Sequence, residues 1–241
     1  MRVYYLSKRG GKLAAAYFLA LVLLLGGASV FLPETAPAAA QPEQDPAAYR
    51  SGSSESDLVS LAINVDWGEE YLPQLLAVLA EKDVHATFFL TGRWCNNQPE
   101  LARQIAEAGH EIGNHGYSHS SPNASSEEQI IEEIERTEAA IEAATGITTD
   151  LYAPPSGEEE QHVLDAAAEA GYHTILWSVD TIDWQQPTAE TIVERVSSKI
   201  HGGAIILAHP TEPTLLALPQ IIDSLEEEGY RFVSVSENLG L

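Results

Sequence analysis

The sequence has one cysteine, Cys95, in 241 residues. No intrachain disulfide can form, and a thiolate-based metal site is excluded. A single thiol is read as a small buried apolar side chain rather than a reactive group. Basic residues are equally sparse. There are 12 Lys and Arg against 36 Asp and Glu. Arg2, Lys8, Arg9 and Lys12 lie before residue 13, and Glu34 is the one acid before position 40. The remainder therefore carries 8 basic and 35 acidic residues, a net charge of −27. Such a surface repels phosphate backbones, so nucleic acid is excluded as a partner. It also repels strongly anionic polymers, leaving neutral or zwitterionic sugars open. No G-x-G-x-x-G follows the first expected strand, so a dinucleotide fold gains no support. No fixed-period repeat is present.

What is there divides into three stretches: 1–32, 33–57 and 58–241. Leu13–Leu32 is almost wholly apolar and long enough to cross a bilayer. Basic residues flank only its N-terminal side, which predicts a cytoplasmic start and an outward-facing domain. Residues 1–32 are read as a signal-anchor, with a cleaved signal peptide ending at Ala38-Ala39-Ala40 as the rival. The implied location is extracytoplasmic, membrane-anchored through this segment or secreted. Residues 33–57 are rich in Pro, Ala, Ser, Glu and Gln and predict a flexible linker.

From Leu58 onward, strands and helices alternate. Strands are expected at Leu58–Val65, Val84–Leu90, Glu111–Asn114, Leu151–Ala153, Tyr172–Val179, Ala204–Ala208 and Tyr230–Val235. Helices are expected at Leu72–Glu81, Pro99–Ala108, Ser125–Thr145, Glu160–Ala170, Thr188–Ile200 and Leu215–Glu228. Apolar strands alternating with helices predict a parallel sheet covered by helices. Seven or eight units in so short a span predict an α/β fold: a compact, distorted parallel (β/α) barrel. An open doubly wound sheet is the alternative.

In parallel α/β folds, chemistry collects where strands end. The residues past the expected strands are Asp66, then His115 and His119, then Pro154–Gly157, then Asp180, Asp183 and Trp184, then His209. On a helical turn His115 and His119 would share one face and suit a single ion; equally, such a pair is often two surface histidines. Asp66 leaves an apolar strand, which is costly unless it is paired or catalytic; it could also cap the next helix. An aspartate beside His209 would fix its tautomer and suit it to acid catalysis. Asp180 and Asp183 could equally cap their loop.

Several segments in order resemble the polysaccharide deacetylase family (carbohydrate esterase family four, with its NodB-homology domain). They are Asn64–Gly68, Ala86–Gly92, Gly109–His119, Ala153–Gly157, Trp177–Trp184 and Leu207–His209. The resemblance covers 58–241. It implies a metal-dependent hydrolase removing N-acetyl or O-acetyl groups from peptidoglycan or a chitin-like polysaccharide. It implies a divalent ion, zinc or a cobalt-like metal, held by His115 and His119. By the same correspondence Asp66 is the catalytic base, His209 the acid and Asp183 its tuning carboxylate. Trp184 and Leu207 wall the acetyl pocket, and the Ser156 N–H helps hold the oxyanion. The stretch Asn64–Tyr71 is similar to a sporulation-associated subgroup of spore-forming bacteria.

Two positions depart from the pattern. Trp67 stands where the family has an aspartate that supplies the third metal ligand. Ala153 stands where it has an arginine that orients the base. The first implies weakly held metal; the second removes a positive charge and should raise the pKa of Asp66. Three readings follow: a working enzyme whose missing ligand comes from Glu69, Glu70 or Asp66; a silent domain that binds glycan or a partner; and a structural spacer. The surviving set of polar groups favours the first.

Overall fold

The computed structural model describes residues 47–241. Eight strands form one sheet: β1 (Leu58–Val65), β2 (Thr87–Leu90), β3 (Glu111–Asn114), β4 (Leu151–Tyr152), β5 (His173–Thr174), β6 (Val179–Asp180), β7 (Ile205–Ala208) and β8 (Arg231–Phe232). Their order is β5-β4-β3-β2-β1-β7-β6, with β8 beside the start of β1. Every ladder between these strands is parallel. The architecture is the expected distorted β/α barrel, a curled half-barrel wrapped in helices. No ladder joins β5 to β6. Tyr49 and Ser51 make single bridges to Ile175 and Ala204, on either side of that seam.

The alternation in β1 shows why the sheet curls around two apolar layers. Val59, Leu61, Ile63 and Val65 belong to the large cluster between sheet and helices. Ala62 belongs to a smaller cluster with Phe89, Leu151 and Ile205, inside the curl. Side chains two apart share a face, so Ser60, Asn64 and Asp66 point the same way as Ala62. Phe88 and Phe89 split likewise between the two clusters. Gly113 is where β3 must be bare: a Cβ there would meet the Phe89 ring at 2.3 Å. Burying side chains of this size contributes about 1.5–3 kcal/mol each.

Among the described residues eight helices cover the sheet: α1 (Leu72–Glu81), α2 (Gly92–Asn97), α3 (Pro99–Glu107), α4 (Glu127–Thr145), α5 (Gln161–Glu169), α6 (Ala189–Ser197), α7 (Glu212–Glu227) and α8 (Val235–Leu239). The longest, α4, starts at a capping box. Ser126 accepts from the Gln129 N–H, and the Gln129 side chain accepts from the Ser126 N–H. It ends at Gly146, whose φ of 74° is the left-handed cap expected of glycine.

Three expectations need correction. The strand read over Tyr172–Val179 breaks into β5 and β6. Between them the Leu176 N–H bonds to Tyr49 carbonyl instead of to a neighbouring strand. The strand read over Tyr230–Val235 stops at Phe232, because Ser234 caps α8. Ordered structure also begins before Leu58. Tyr49 N–H bonds to Thr174 carbonyl and Gly52 N–H to Gly203 carbonyl, within the stretch read as linker. The apolar run Leu13–Leu32 and the expected cleavage site lie outside the described residues. No helix among the described residues is long and apolar enough to cross a membrane.

Candidate active site

The strand ends do converge. Asp66, His115, His119, Ser156, Trp184, Leu207 and His209 all line one cavity of about 430 Å³. Trp67, Asn64, Trp177 and Asp180 line it too. Asp183 does not; it is buried behind His209.

His115 follows β3 directly and is 1% exposed. Its Nδ1 lies 2.6 Å from the Ala153 carbonyl, which can only accept, so Nδ1 carries the proton and Nε2 the lone pair. Burial, reinforced by His119 and His209, pushes its pKa down to about 3. His119 sits four residues on, but the intervening chain is a loop and not a helical turn. Gly116 and His119 both take positive φ. That loop brings the two rings within 5.0 Å, edge to face.

His209 follows β7. Its Nδ1–H donates to Asp183 Oδ1 at 2.7 Å and its backbone N–H to Oδ2 at 2.6 Å. Thr214 at the start of α7 donates to Oδ2 at 2.5 Å. Burial is the largest influence on Asp183 and pushes its pKa up. The bonds and charge from His209, with Thr214, outweigh it and hold the carboxyl below its usual range. Asp180 is the aspartate that caps the loop, accepting from the Ile182 N–H at 2.7 Å.

Asp66 caps no helix: the residue before α1 is Tyr71, which makes no side-chain cap. Its Oδ1 accepts from Thr91 at 2.8 Å, and both its oxygens accept from Arg93, at 2.9 and 2.8 Å. The expectation that Asp66 lacks a positive neighbour is therefore corrected. Ala153 removes one candidate partner, and Arg93, from the first turn of α2, supplies a guanidinium. Sequence reasoning assigned Arg93 and Thr214 no role. The one available signal for Arg93 was a lone cation just past the end of β2.

The residue after Asp66 is Trp67, 42% exposed. Its ring lies parallel to that of His209, at 6° and 6.1 Å between centroids. Gly68 makes this possible, since a Cβ there would meet the Pro210 carbonyl at 2.2 Å. The loops after β1 and β7 are thus packed backbone to backbone.

This donor set does not fit a hydrolytic metal ion. Of the three expected ligand positions two are imidazoles, His115 and His119, and the third is an indole. Of the two carboxylates lining the cavity, Asp66 is occupied by a guanidinium and Asp180 accepts from the Ile182 N–H. Glu69 and Glu70 are exposed and do not line the cavity. Among the described residues no group of three His, Cys, Asp or Glu is placed to hold an ion. A catalytic zinc needs three protein ligands and an open position.

Comparison with known proteins adds context. Residues 52–175 match the family described as polysaccharide deacetylase. The Bacillus subtilis protein YlxY is 44% identical over 77% of this chain and 58% of its own length. This chain thus spans less than two thirds of that relative. A Bacillus cereus peptidoglycan-N-acetylglucosamine deacetylase is 36% identical over 82% of this chain and 96% of that protein. The crystal structure of a carbohydrate esterase family 4 pseudoenzyme from Bacillus anthracis superposes with a TM-score of 0.79. It is 42% identical, covering 80% of this chain and 69% of that one.

Proposed function

The chain belongs to the polysaccharide deacetylase family, and on that footing we propose that it binds peptidoglycan or a chitin-like glycan at the cell envelope without hydrolysing it. The observation that carries this reading is the replacement at the third ligand position. Trp67 puts an indole where the resemblance expects a carboxylate, and Asp66 is held by Arg93. Members of the family are in general metal-dependent deacetylases. Here a divalent ion such as zinc would find only His115 and His119, and would be held weakly. The pseudoenzyme from Bacillus anthracis supports the same reading. An acidic surface suits an uncharged sugar better than an anionic polymer. An extracytoplasmic location, anchored or secreted, fits such a ligand.

One observation favours a second reading, a slow metal-dependent deacetylase. The Asp183–His209–Thr214 chain is complete, and it leaves His209 Nε2 free to exchange a proton with a leaving amine. In this reading Trp184 and Leu207 line the space for an acetyl methyl, and the Ser156 N–H assists the oxyanion.

The two separate in one experiment. The full chain is mixed with purified peptidoglycan and with N-acetylchitotetraose, with and without added zinc. Binding is read by co-sedimentation and acetate is measured. Binding without acetate release is expected. Zinc-dependent acetate release that disappears in His115→Ala would replace the first reading with the second.

A further inference from the structure

The seam between β5 and β6 is crossed by chain that adds nothing to the core. No residue from 47 to 57 is buried. What lies under this stretch is buried: Ile175 at 1%, Leu176 at 3% and Ala204 at 0% exposure. Tyr49 stands in for a missing strand. Its N–H donates to the Thr174 carbonyl and its carbonyl accepts from the Leu176 N–H, both at 2.8 Å. Three residues on, the Gly52 N–H donates to the Gly203 carbonyl at 2.7 Å. The backbone beneath is shaped to receive it. A Cβ on Gly202 would meet the Ser56 carbonyl oxygen at 2.1 Å, and one on Gly203 the Gly52 carbonyl carbon at 2.5 Å. A Cβ on Gly52 would meet the Asn238 carbonyl oxygen at 2.3 Å and Asn238 Oδ1 at 2.6 Å. Asn238 Nδ2 donates to the Gly203 and Ala204 carbonyls, but its Oδ1 is buried with no partner. Seating Gly52 against that oxygen keeps it dry and unpaired, a cost that lifting the stretch relieves. A segment held by backbone hydrogen bonds, with no buried side chain, lies at the low end of local stability.

Two of its contacts lead to the cavity. Leu176 precedes Trp177, which lines the cavity and packs on the cluster inside the curl. Arg50 pairs with Glu159, on the loop that brings Ser156 and Gly157 to the cavity wall. Those two walls meet: a Cβ on Gly157 would touch the Trp177 ring at 2.6 Å. We propose that residues 47–56 form a releasable strap that holds the Trp177 and Ser156 walls together, so that the cavity loosens when the strap lifts. The opening follows the strap and leaves the rest of the barrel folded. An occupant touching both walls holds the strap down, and by reciprocity a seated strap tightens the occupant's binding. This does not depend on what the cavity binds.

Amide hydrogen exchange of the full chain is the test. Leu176 reports on the strap itself. Ser178, bonded to the Ile205 carbonyl, and Gly157, bonded to that of Pro154, report on the two walls. Thr91, bonded to Val65, and His115, bonded to Leu90, report on the middle of the sheet. In wild type Leu176 is expected to exchange about tenfold faster than Thr91, or more. Gly52→Ala drives a methyl into the Asn238 carbonyl and unseats the strap. Exchange at Leu176, Ser178 and Gly157 should then rise about tenfold, with Thr91 and His115 changed by less than about twofold. Acceleration of all five amides together would mean that strap and sheet open as one unit, which overturns the inference. Acceleration confined to Leu176 would mean that the walls stand without the strap, which overturns it as well. If Gly52→Ala does not fold, Arg50→Ala at an exposed ion pair takes its place. That variant should speed Gly157 more than Ser178, and unchanged rates at both would refute the strap. No glycan is needed for any of these results, so a failure of the glycan-binding reading leaves them standing.

Discussion

Arg93 spans the carboxylate of Asp66, one guanidinium nitrogen donating to both oxygens at 2.9 and 2.8 Å. The Arg93 side chain is 51% exposed and that of Asp66 16%. Solvent screening keeps such a pair weak, so Arg93→Ala should cost less than about 1 kcal/mol in urea unfolding. Thr91 is buried, donates to the same carboxylate and accepts from the Trp94 N–H as the N-cap of α2. Thr91→Ala should cost more, about 1–2 kcal/mol. Equal losses in the two variants would mean that the ion pair is stronger than its exposure allows.

Trp67→Asp restores a carboxylate next to the His115 and His119 pair. Zinc affinity, measured by competition with a chromogenic chelator, should rise by about a hundredfold or more. An unchanged affinity would mean that the two imidazoles are not placed to share an ion.

His110 gives the protein an acid-sensitive point away from the cavity. Its Nδ1 accepts from the Ala86 N–H at 3.3 Å, so it must be neutral there. Burial, with His85 nearby, pushes its pKa from 6.5 down to about 4. A depressed histidine contributes stability that is present above the unfolded value and lost as pH falls from about 6.5 toward 4. Urea unfolding should therefore show a loss on the order of 1 kcal/mol from this group between neutral pH and pH ~5, allowing for partial solvation. His110→Gln, which cannot titrate, should flatten that limb. A parallel pH dependence in the two proteins would assign the acid loss elsewhere.

Asp183 accepts three hydrogen bonds while fully buried. Asp183→Asn turns one acceptor into a donor facing other donors, and should cost about 3 kcal/mol. The wild-type contribution is present above the ordinary carboxylate pKa and is lost as pH falls from there through the lower folded value, because the folded carboxyl is held low. A variant as stable as wild type at neutral pH would show that His209 and Thr214 find other partners.

Much of the fold was legible because its signals are local. The helix at Leu72–Glu81 and the strands at Leu58–Val65 and Glu111–Asn114 have the bounds read from periodicity alone. Errors fell where a distant segment intervenes. Tyr49 takes the Leu176 N–H and so ends β5, although Tyr49 sits in a stretch whose composition reads as linker. The short helix α2 was missed because six residues carry too little periodicity to register.

The sequence by itself determined the architecture and the chemical inventory: an alternating pattern for a parallel barrel, polar residues at strand ends, and an indole where a carboxylate was expected. Spacing along the chain carries the first two, and the resemblance to the family carries the third. Only the tertiary structure decided who pairs with whom. It gave Asp66 to Arg93, set Asp183 behind His209 while leaving Asp180 to cap a loop, and left the Asn64 amide oxygen without a partner. Those outcomes depend on distances between residues far apart in sequence, and hydrogen bonds and ion pairs lose their strength within a few ångströms.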